Sequence, residues 1–221
     1  MKAKLILSVF VLGLVSSSFG ILVGDFEDGL DDGWWNEGTS SAPVTPTGAT
    51  LGSWSMRSER SDGGWGTTIG ANFLGNAPVI NALATVGKVQ VDVTTFAEDW
   101  PAGYGTIGLV VACGENVNWT QTYWDAMDWQ DLVLGTTQTF TFTLVADAMT
   151  ALAEATGWAN LAFVNWTDPT ESYWDEILQE EVITYQGGAV LYFDNIQIIP
   201  EPATLVLLGL GGLSLIRRKR G

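Results

Sequence analysis

The chain has 221 residues, and 25 acidic residues against nine basic ones give it a net charge of −16. Because phosphate recognition needs clustered lysine and arginine, this balance excludes a nucleic-acid-binding protein. Histidine is absent and Cys113 is the single cysteine, which excludes Ser-His-Asp and Cys-His catalysis, histidine-containing zinc sites and an intrachain disulfide.

The first 20 residues have the pattern of a secretory signal peptide. Lys2 and Lys4 precede an apolar run over residues 5–15, and Ser18 and Gly20 stand at the −3 and −1 positions of the expected cleavage site. An uncleaved N-terminal anchor is the alternative, and the shortness of the apolar run argues against it. The sequence therefore predicts a signal helix at 1–20 and one exported domain at 21–199.

The predicted exported domain is strongly acidic. It holds 24 acidic residues against Arg57, Arg60 and Lys88, which is a net charge of −21. A surface of this sign repels nucleic acid and anionic lipid, attracts divalent cations and keeps the protein soluble by self-repulsion. Without a disulfide, the domain must depend on its core or on a metal ion.

Alternation of apolar and polar residues predicts an all-β domain. Val89, Val91 and Val93 fall on one face of a predicted strand, and Phe140 and Phe142 on one face of another. Further strands are predicted near residues 21–27, 53–59, 65–72, 106–113, 158–166, 181–185 and 189–198. Many short strands with few helices indicate an antiparallel β-sandwich, most simply a jelly roll.

One short helix is predicted within this domain, from Ala148 to Thr156. Asp147 is positioned to cap its start and Gly157 to cap its end. The predicted buried stripe consists of Met149, Leu152, Ala153 and Thr156.

Three motifs mark the ends of the predicted domain. Asp-Phe-Glu-Asp-Gly at 25–29 leads to Gly-Trp-Trp at 33–35, Gly-Ser-Trp-Ser-Met-Arg follows at 52–57, and Tyr-Phe-Asp-Asn-Ile at 192–196 closes the domain. These segments resemble the opening, second and closing strands of galactose-binding-like carbohydrate-binding modules. The resemblance implies a jelly-roll sandwich and points to sugar binding, although one fold hosts many unrelated functions.

The same resemblance implies a structural calcium ion between the first and last strands. By position, Glu27 and Asp194 would supply carboxylate oxygens, with Asp25 and backbone carbonyls near Gly52 as further ligands. Calcium takes six to eight oxygen ligands of these kinds, and it would tie the two ends of the domain together. The alternative is that these carboxylates are only solvated at strand ends.

Tryptophan is unusually frequent, and two similar segments concentrate it. Asn-Trp-Thr leads to Tyr-Trp-Asp at 118–125 and again at 165–175. An exposed indole stacks on a sugar ring, and nearby carboxylates bond its hydroxyl groups. The predicted sugar platform is therefore Trp119, Trp124, Asp125, Trp166, Trp174 and Asp175. The alternative is that the indoles fill the core of the sandwich and cover its ends.

Residues 200–221 have three parts in a fixed order. Pro200, Glu201 and Pro202 end the domain, because closely spaced prolines do not continue a strand. An apolar run at 203–216 follows, which predicts a short transmembrane helix of about 21 Å against a hydrocarbon core of about 30 Å. Four cations then keep the chain end cytoplasmic. They are Arg217, Arg218, Lys219 and Arg220.

This ordered combination resembles the PEP-CTERM sorting signal of Gram-negative bacteria, which an exosortase recognises. The resemblance implies that the chain interacts with the export machinery and with an exosortase, a membrane cysteine transpeptidase. It also implies an intermediate anchored in the inner membrane and a final location at the cell surface or in the extracellular matrix. A plain membrane anchor with a proline-rich stalk, or a buried hydrophobic tail, is the alternative.

Three functions are compatible with these features. The favoured one is a non-catalytic exported protein that contacts exopolysaccharide. The second is a glycoside hydrolase or lyase of the same sandwich class, because paired acids occur at Glu98–Asp99 and Asp125–Asp128. The third is a structural or adhesive module whose aromatic clusters bind protein partners.

Overall fold

A computed structural model describes residues 20–36, 42–59, 67–99, 104–114, 122–128, 131–168, 170–185 and 189–199. Within these ranges the strands are β1 (Ile21–Gly24), β2 (Trp34–Asn36), β3 (Val44–Thr45), β4 (Ser55–Glu59), β5 (Thr67–Asn72), β6 (Lys88–Thr95), β7 (Tyr104–Gly114), β8 (Thr122–Asp128), β9 (Thr136–Thr143), β10 (Trp158–Asp168), β11 (Thr170–Asp175), β12 (Glu180–Tyr185) and β13 (Val190–Ile198). The helices are α1 (Ala77–Val86) and α2 (Ala146–Glu154), and a 3-10 helix covers Ala97–Asp99.

Two antiparallel sheets form a β-sandwich, as the sequence predicted. The six-stranded sheet has the order β3-β4-β13-β6-β9, and β1 also pairs with β13. The five-stranded sheet has the order β2-β5-β10-β7-β8. Strands β11 and β12 form a separate two-stranded hairpin that continues from the end of β10.

The core between the two sheets is built largely from aliphatic and aromatic side chains. Val89, Val91 and Val93 are fully buried, which confirms the alternation read from the sequence. Phe163 of the five-stranded sheet stacks on Phe193 of the six-stranded sheet, with ring centroids 5.1 Å apart. This contact joins the two sheets at the centre of the sandwich, where such pairs add to the free energy gained by burying apolar area.

Both helices cover the same end of the sandwich. Helix α1 connects β5 of one sheet to β6 of the other, and α2 connects β9 back to β10. The two helices contact each other, and both contribute residues to the core. The Asn76 side chain accepts the Val79 N–H at the start of α1, and Gly87 ends it with φ of 62°. We call this region the helix-covered end.

The sequence-based prediction of a single helix was wrong. Helix α1 was missed because Pro78, Val79 and Ile80 are residues more typical of turns and strands than of helices. Its burial of Val79 and Leu83 supplies the stability that its composition lacks.

The one helix predicted within the domain, from Ala148 to Thr156, corresponds to α2, which begins and ends two residues earlier than expected. Val145 stands at its N-cap with no side-chain hydrogen bond, so Asp147 does not cap it, and the helix stops at Ala155 rather than at Gly157. Of the predicted stripe, Leu152 is buried and Met149 half-buried, whereas Ala153 and Thr156 are exposed. Ala148 and Ala151 are buried instead.

The predicted signal helix and the predicted transmembrane helix lie outside the described residues. Among the residues that are described, no helix is long and apolar enough to cross a membrane.

Candidate functional sites

Five positions, one on each strand, form a row across the outer face of the five-stranded sheet. Trp35 pairs with Gly70, Gly70 with Ala162, Ala162 with Val110, and Val110 with position 124. Directly opposed residues of antiparallel strands lie on the same face of a sheet. We call these positions the groove row.

The groove row faces away from the core because its sequence neighbours face into it. Leu161 and Phe163, on either side of Ala162, are buried members of the core. A β-carbon placed at Gly70 would lie 2.8 Å from Cζ2 of Trp35 and 2.7 Å from Cβ of Ala162. The half-buried indole of Trp35 therefore covers Gly70, and both Gly70 and its neighbour Ala162 are buried.

Trp166 lies on the same face, farther along β10. It pairs with Thr106 and is half-buried. Four residues separate it from Ala162, which is about 13 Å along the strand, and two strand spacings of about 4.8 Å separate Ala162 from Trp35. Two tryptophans thus share one outer face at a separation that a short oligosaccharide spans.

The structure separates the six positions of the predicted sugar platform. Trp166 lies on the outer face, and Trp124 occupies the end of the groove row by register. Asp125 pairs with Leu109, a core residue, so its position belongs to the opposite face of the sheet. Trp119 lies outside the described residues. The sugar platform stays a prediction. Trp35 lies on the same outer face as Trp166, but it is not part of the two similar segments at 118–125 and 165–175 from which the platform was predicted.

Trp174 and Asp175 lie on the β11–β12 hairpin, away from the groove row. Trp174 is 60% exposed, and Ile177 at the turn is 91% exposed. Asp175 holds the turn together, because its Oδ1 accepts the N–H groups of Ile177 at 2.8 Å and Leu178 at 3.0 Å. The turn of the hairpin is an exposed apolar tip, and four acids lie in it or beside it: Asp175, Glu176, Glu180 and Glu181.

A second cluster joins the last strand to the loop before β4. Asp194 is fully buried, and its Oδ2 accepts the N–H groups of Thr50 at 2.6 Å and Leu51 at 2.8 Å. Both oxygens of Glu27 lie 3.0 Å from the N–H of Ser53. Two of the predicted calcium ligands therefore hold one loop, residues 50–53, by hydrogen bonds.

Local irregularity in β13 makes room for this loop. Strand β4 pairs with β13 up to Phe193, and β1 pairs with it from Ile196, so Asp194 lies in the gap between the two partners. The register also shifts after Asp194, and Asn195 has φ of 49°. A buried carboxylate in this gap meets backbone N–H groups that no strand pairs with.

Asp92 lies beside Asp194 and extends the network. The two residues are paired across β6 and β13, and the hydroxyl of Thr50 lies 3.0 Å from Oδ2 of each. Asp92 also accepts the Thr139 hydroxyl at 2.6 Å and the Asn195 amide at 3.0 Å. Burial raises the pKa of Asp194, and the N–H donors of Leu51 and Thr50 oppose that rise.

This arrangement does not fit calcium at Asp194. The groups around its carboxylate are N–H and O–H donors, whereas calcium needs oxygen atoms that point their lone pairs inward. Across the described ranges, no cluster of three or more histidine, cysteine, aspartate or glutamate residues could hold a metal ion. Calcium binding by Asp25, Glu27 and Asp194 stays a prediction.

One of the two acid pairs considered for glycoside hydrolysis is divided between two faces. Asp125 pairs with Leu109 and Asp128 with Thr106, and positions three apart on a strand lie on opposite faces. In the other pair, Asp99 accepts the Tyr192 hydroxyl at 3.1 Å and Glu98 is exposed.

Residues 199–220 match the PEP-CTERM protein-sorting motif. This match confirms the resemblance read from Pro200, Glu201, Pro202 and the basic chain end. The motif implies export and a membrane-anchored intermediate that an exosortase processes.

The fold is similar to those of several carbohydrate-binding modules. One is a structure solved to explain the promiscuous specificity of carbohydrate-binding modules from the β-sandwich superfamily. It has 14% sequence identity and a TM-score of 0.46, and the match covers 79% of this chain and 60% of that one. The CBM22-2 xylan-binding domain of Paenibacillus barcinonensis Xyn10C has 16% identity and a TM-score of 0.47, with coverages of 80% and 97%. The CBM22-1–CBM22-2 tandem domain of the same protein has 15% identity and a TM-score of 0.49, with coverages of 84% and 50%. This chain therefore spans only part of the first and the last of these. No curated protein matches the sequence.

Proposed function

We propose that the exported domain binds polysaccharide on the outer face of the five-stranded sheet, as a non-catalytic surface protein sorted by an exosortase. The observation that carries this proposal is the groove row, in which the indole of Trp35 lies over Gly70 and Ala162. Gly70 and Ala162 are themselves buried, so the surface offered to a sugar ring is the half-buried indole of Trp35, which these small residues let lie close to the sheet.

Charge narrows the class of polysaccharide. With 24 acidic and three basic residues at 21–199, the domain repels polyanions such as uronic acid polymers. A neutral glycan meets no such repulsion, and its hydroxyl groups can bond polar side chains beside the groove row. Thr68 and Asn160 are partly exposed on the same strands and lie at positions of the same face.

Removing single indoles tests the location of the binding site. Trp166→Ala and Trp35→Ala are titrated with soluble neutral xylan, β-glucan and mannan, with intrinsic fluorescence and affinity electrophoresis as readouts. Each variant is expected to bind about tenfold more weakly, which corresponds to about 1.4 kcal/mol for one lost stacking contact. Trp174→Ala is the matched control, because Trp174 is exposed but lies on the hairpin.

The result that would overturn this site is a loss of binding in Trp174→Ala with no change in Trp166→Ala. Absence of binding to every neutral glycan would remove the sugar-binding proposal altogether. Melting temperatures of all variants separate lost contacts from lost folding.

The hairpin favours adhesion to a protein partner as a second function. Tyr173, Trp174, Ile177 and Leu178 are all more than half exposed on a two-stranded ribbon. Apolar groups exposed together are typical of interaction surfaces. The double variant Trp174→Ser, Ile177→Ser should leave glycan binding unchanged and reduce capture of the protein on a cell-surface fraction; unchanged capture would remove adhesion through the hairpin.

Mass spectrometry of the mature C-terminus tests the sorting step. Cells with an active exosortase are expected to yield protein that ends near Pro202, and cells with an inactive exosortase should retain Arg217–Arg220. Release of the full chain from cells with the active enzyme would contradict sorting by this motif.

A further inference from the structure

The folded sheet ends almost at the sorting motif. Strand β13 ends at Ile198, and the N–H of Ile199 still donates to the carbonyl of Lys88 at 3.0 Å. Only three residues, Pro200 to Pro202, separate Ile199 from the apolar run that begins at Ala203. Four Cα–Cα steps reach at most about 14 Å. The domain is therefore tied closely to whatever holds the apolar run.

The chain leaves the sandwich at the helix-covered end. Ile198 pairs with Val89 at the start of β6 and with Ile21 at the start of β1. Helix α1 leads into β6 directly through Gly87. The hairpin continues from the opposite end of β10, whose 11 residues span about 36 Å. The short tether thus brings the helix-covered end, and not the hairpin, near the membrane.

Helix α1 carries no charge in a domain whose net charge is −21. Its ten residues include no acid and no base, and Ala77, Pro78, Asn81 and Thr85 are exposed. Val145, just before α2, is 49% exposed. Placing acidic side chains against lipid would require removing their water and would oppose anionic headgroups. Helix α1 can approach lipid without either cost.

The nearest charges also agree with this orientation. Lys88 follows α1 and lies at the point where the chain leaves the sheet. A cation at that position suits lipid phosphates. The carboxylates described at this end lie beside α1 rather than on it: Asp147 and Glu154 belong to α2, and Asp25 and Asp32 line a cavity with Asn76 and Val79 at the start of α1. The exposed residues of α1 itself, from Asn81 to Thr85, are therefore the ones that meet the membrane.

We propose that in the anchored intermediate α1 lies against the lipid surface and the sandwich stands on it, with the hairpin pointing away. This inference rests on the sorting step of the proposed function, because that step implies the anchored intermediate. The occupant of the α1 face is the bilayer interface itself. An exosortase that covers the same face is the competing occupant, which the experiment below separates.

The test uses the full chain with one introduced cysteine, in vesicles of phosphatidylcholine that contain a headgroup-nitroxide lipid. Cys113 is fully buried and its pKa is raised to about 11 by that burial, so a maleimide fluorophore labels only the new thiol. Thr85→Cys reports on the α1 face, and Ile177→Cys on the hairpin is the matched control. Flotation of the vesicles first shows whether the chain is anchored.

Lipid nitroxides are expected to quench the label at position 85 about fivefold more than the label at 177. The reason is that β10, which spans about 36 Å, runs from the helix-covered end, where Thr85 lies, toward the hairpin that carries Ile177. Equal or reversed quenching in chains that float with the vesicles overturns the orientation and leaves the sorting proposal intact. Failure to float overturns both. Protection of Thr85→Cys from soluble maleimide only in membranes that contain exosortase assigns the face to the enzyme and overturns the lipid occupant.

Discussion

The two sheets bury similar apolar cores on their inner faces and differ on their outer faces. The outer face of the six-stranded sheet carries Asp92 and Asp194, and the chain itself covers both through the hydroxyl and N–H groups of Thr50. The outer face of the five-stranded sheet carries Gly70 and Ala162 beneath the ring of Trp35. One face is closed by its own loop, and the other carries a half-buried indole over small, buried residues.

This difference predicts that substitutions on the six-stranded sheet act mainly on stability and that substitutions on the five-stranded sheet act mainly on the proposed glycan binding. On the six-stranded sheet, Asp92 and Asp194 form hydrogen bonds with Thr50. A substitution of either carboxylate should therefore unfold the loop at 50–53 and leave the groove row intact. Small residues on the five-stranded sheet make few polar bonds, so changes there should act first on the ligand. The predictions below test that division, from the largest expected effect to the smallest.

Asp194→Ala is expected to lower the free energy of unfolding by about 3 kcal/mol, because it leaves the buried N–H groups of Thr50 and Leu51 without an acceptor. Urea unfolding measures the change. Glu154→Ala, which removes an exposed carboxylate, is the control and should change the free energy by less than about 0.5 kcal/mol. Equal effects of the two substitutions would remove the special role of Asp194.

Gly70→Ala is expected to weaken glycan binding about tenfold and to cost about 1–2 kcal/mol of stability. The added methyl group would meet Cζ2 of Trp35 at 2.8 Å and push the indole away from the groove row. Gly75→Ala is a control for replacing a glycine, since a β-carbon at Gly75 has no neighbour within 4 Å, although its φ of 89° adds backbone strain. If Gly70→Ala bound glycan with full affinity, the indole of Trp35 would not take part in glycan binding.

The pH dependence of stability should carry a contribution from Asp194. Its pKa in the folded state is raised by burial above the ordinary value of 3.8, so the folded protein holds this proton more tightly than the unfolded chain does. The stabilisation that Asp194 contributes is therefore complete when the pH is below the ordinary pKa of 3.8, and it is lost as the pH rises through the raised pKa of the folded state. We expect the stability difference between wild type and Asp194→Asn to fall across this window, as measured by urea unfolding at several pH values. A difference that rises with pH would reverse the assignment.

Chelation of calcium is expected to have the smallest effect. Asp194 is already satisfied by hydrogen bonds, so EDTA should shift the melting temperature by less than about 2 °C. Calorimetry with and without added calcium measures this. A clearly larger drop would restore the calcium site expected from the sequence at Asp25, Glu27 and Asp194, with the loop rearranged around the ion.

The strand pattern was predictable because one side of each sheet faces the core. Val89, Val91 and Val93 alternate with polar residues and are all buried, so their period alone located β6. Helix α1 was not predictable in this way. Its ten residues are mostly small or β-branched, and its stability comes from packing Val79 and Leu83 on residues distant in sequence.

The candidate binding face could be predicted only in part. The repeated Asn-Trp-Thr segments led to Trp166 and Trp124, but they also led to Trp174, which lies on the hairpin. Trp35 was overlooked because its neighbour Trp34 has the same side chain and the opposite environment. Trp34 is fully buried and stacks on Phe163, whereas Trp35 lies over Gly70 on the outer face.

The sequence by itself determined the sorting motif, the acidic charge and the all-β class, because each is a property of residue types and their order along the chain. Tertiary structure decided which indoles share a face and which carboxylates meet the loop at 50–53. Those contacts join residues up to 144 positions apart, such as Thr50 and Asp194. Their proximity depends on the register between strands, and a shift of one residue in register would move every side chain to the other face.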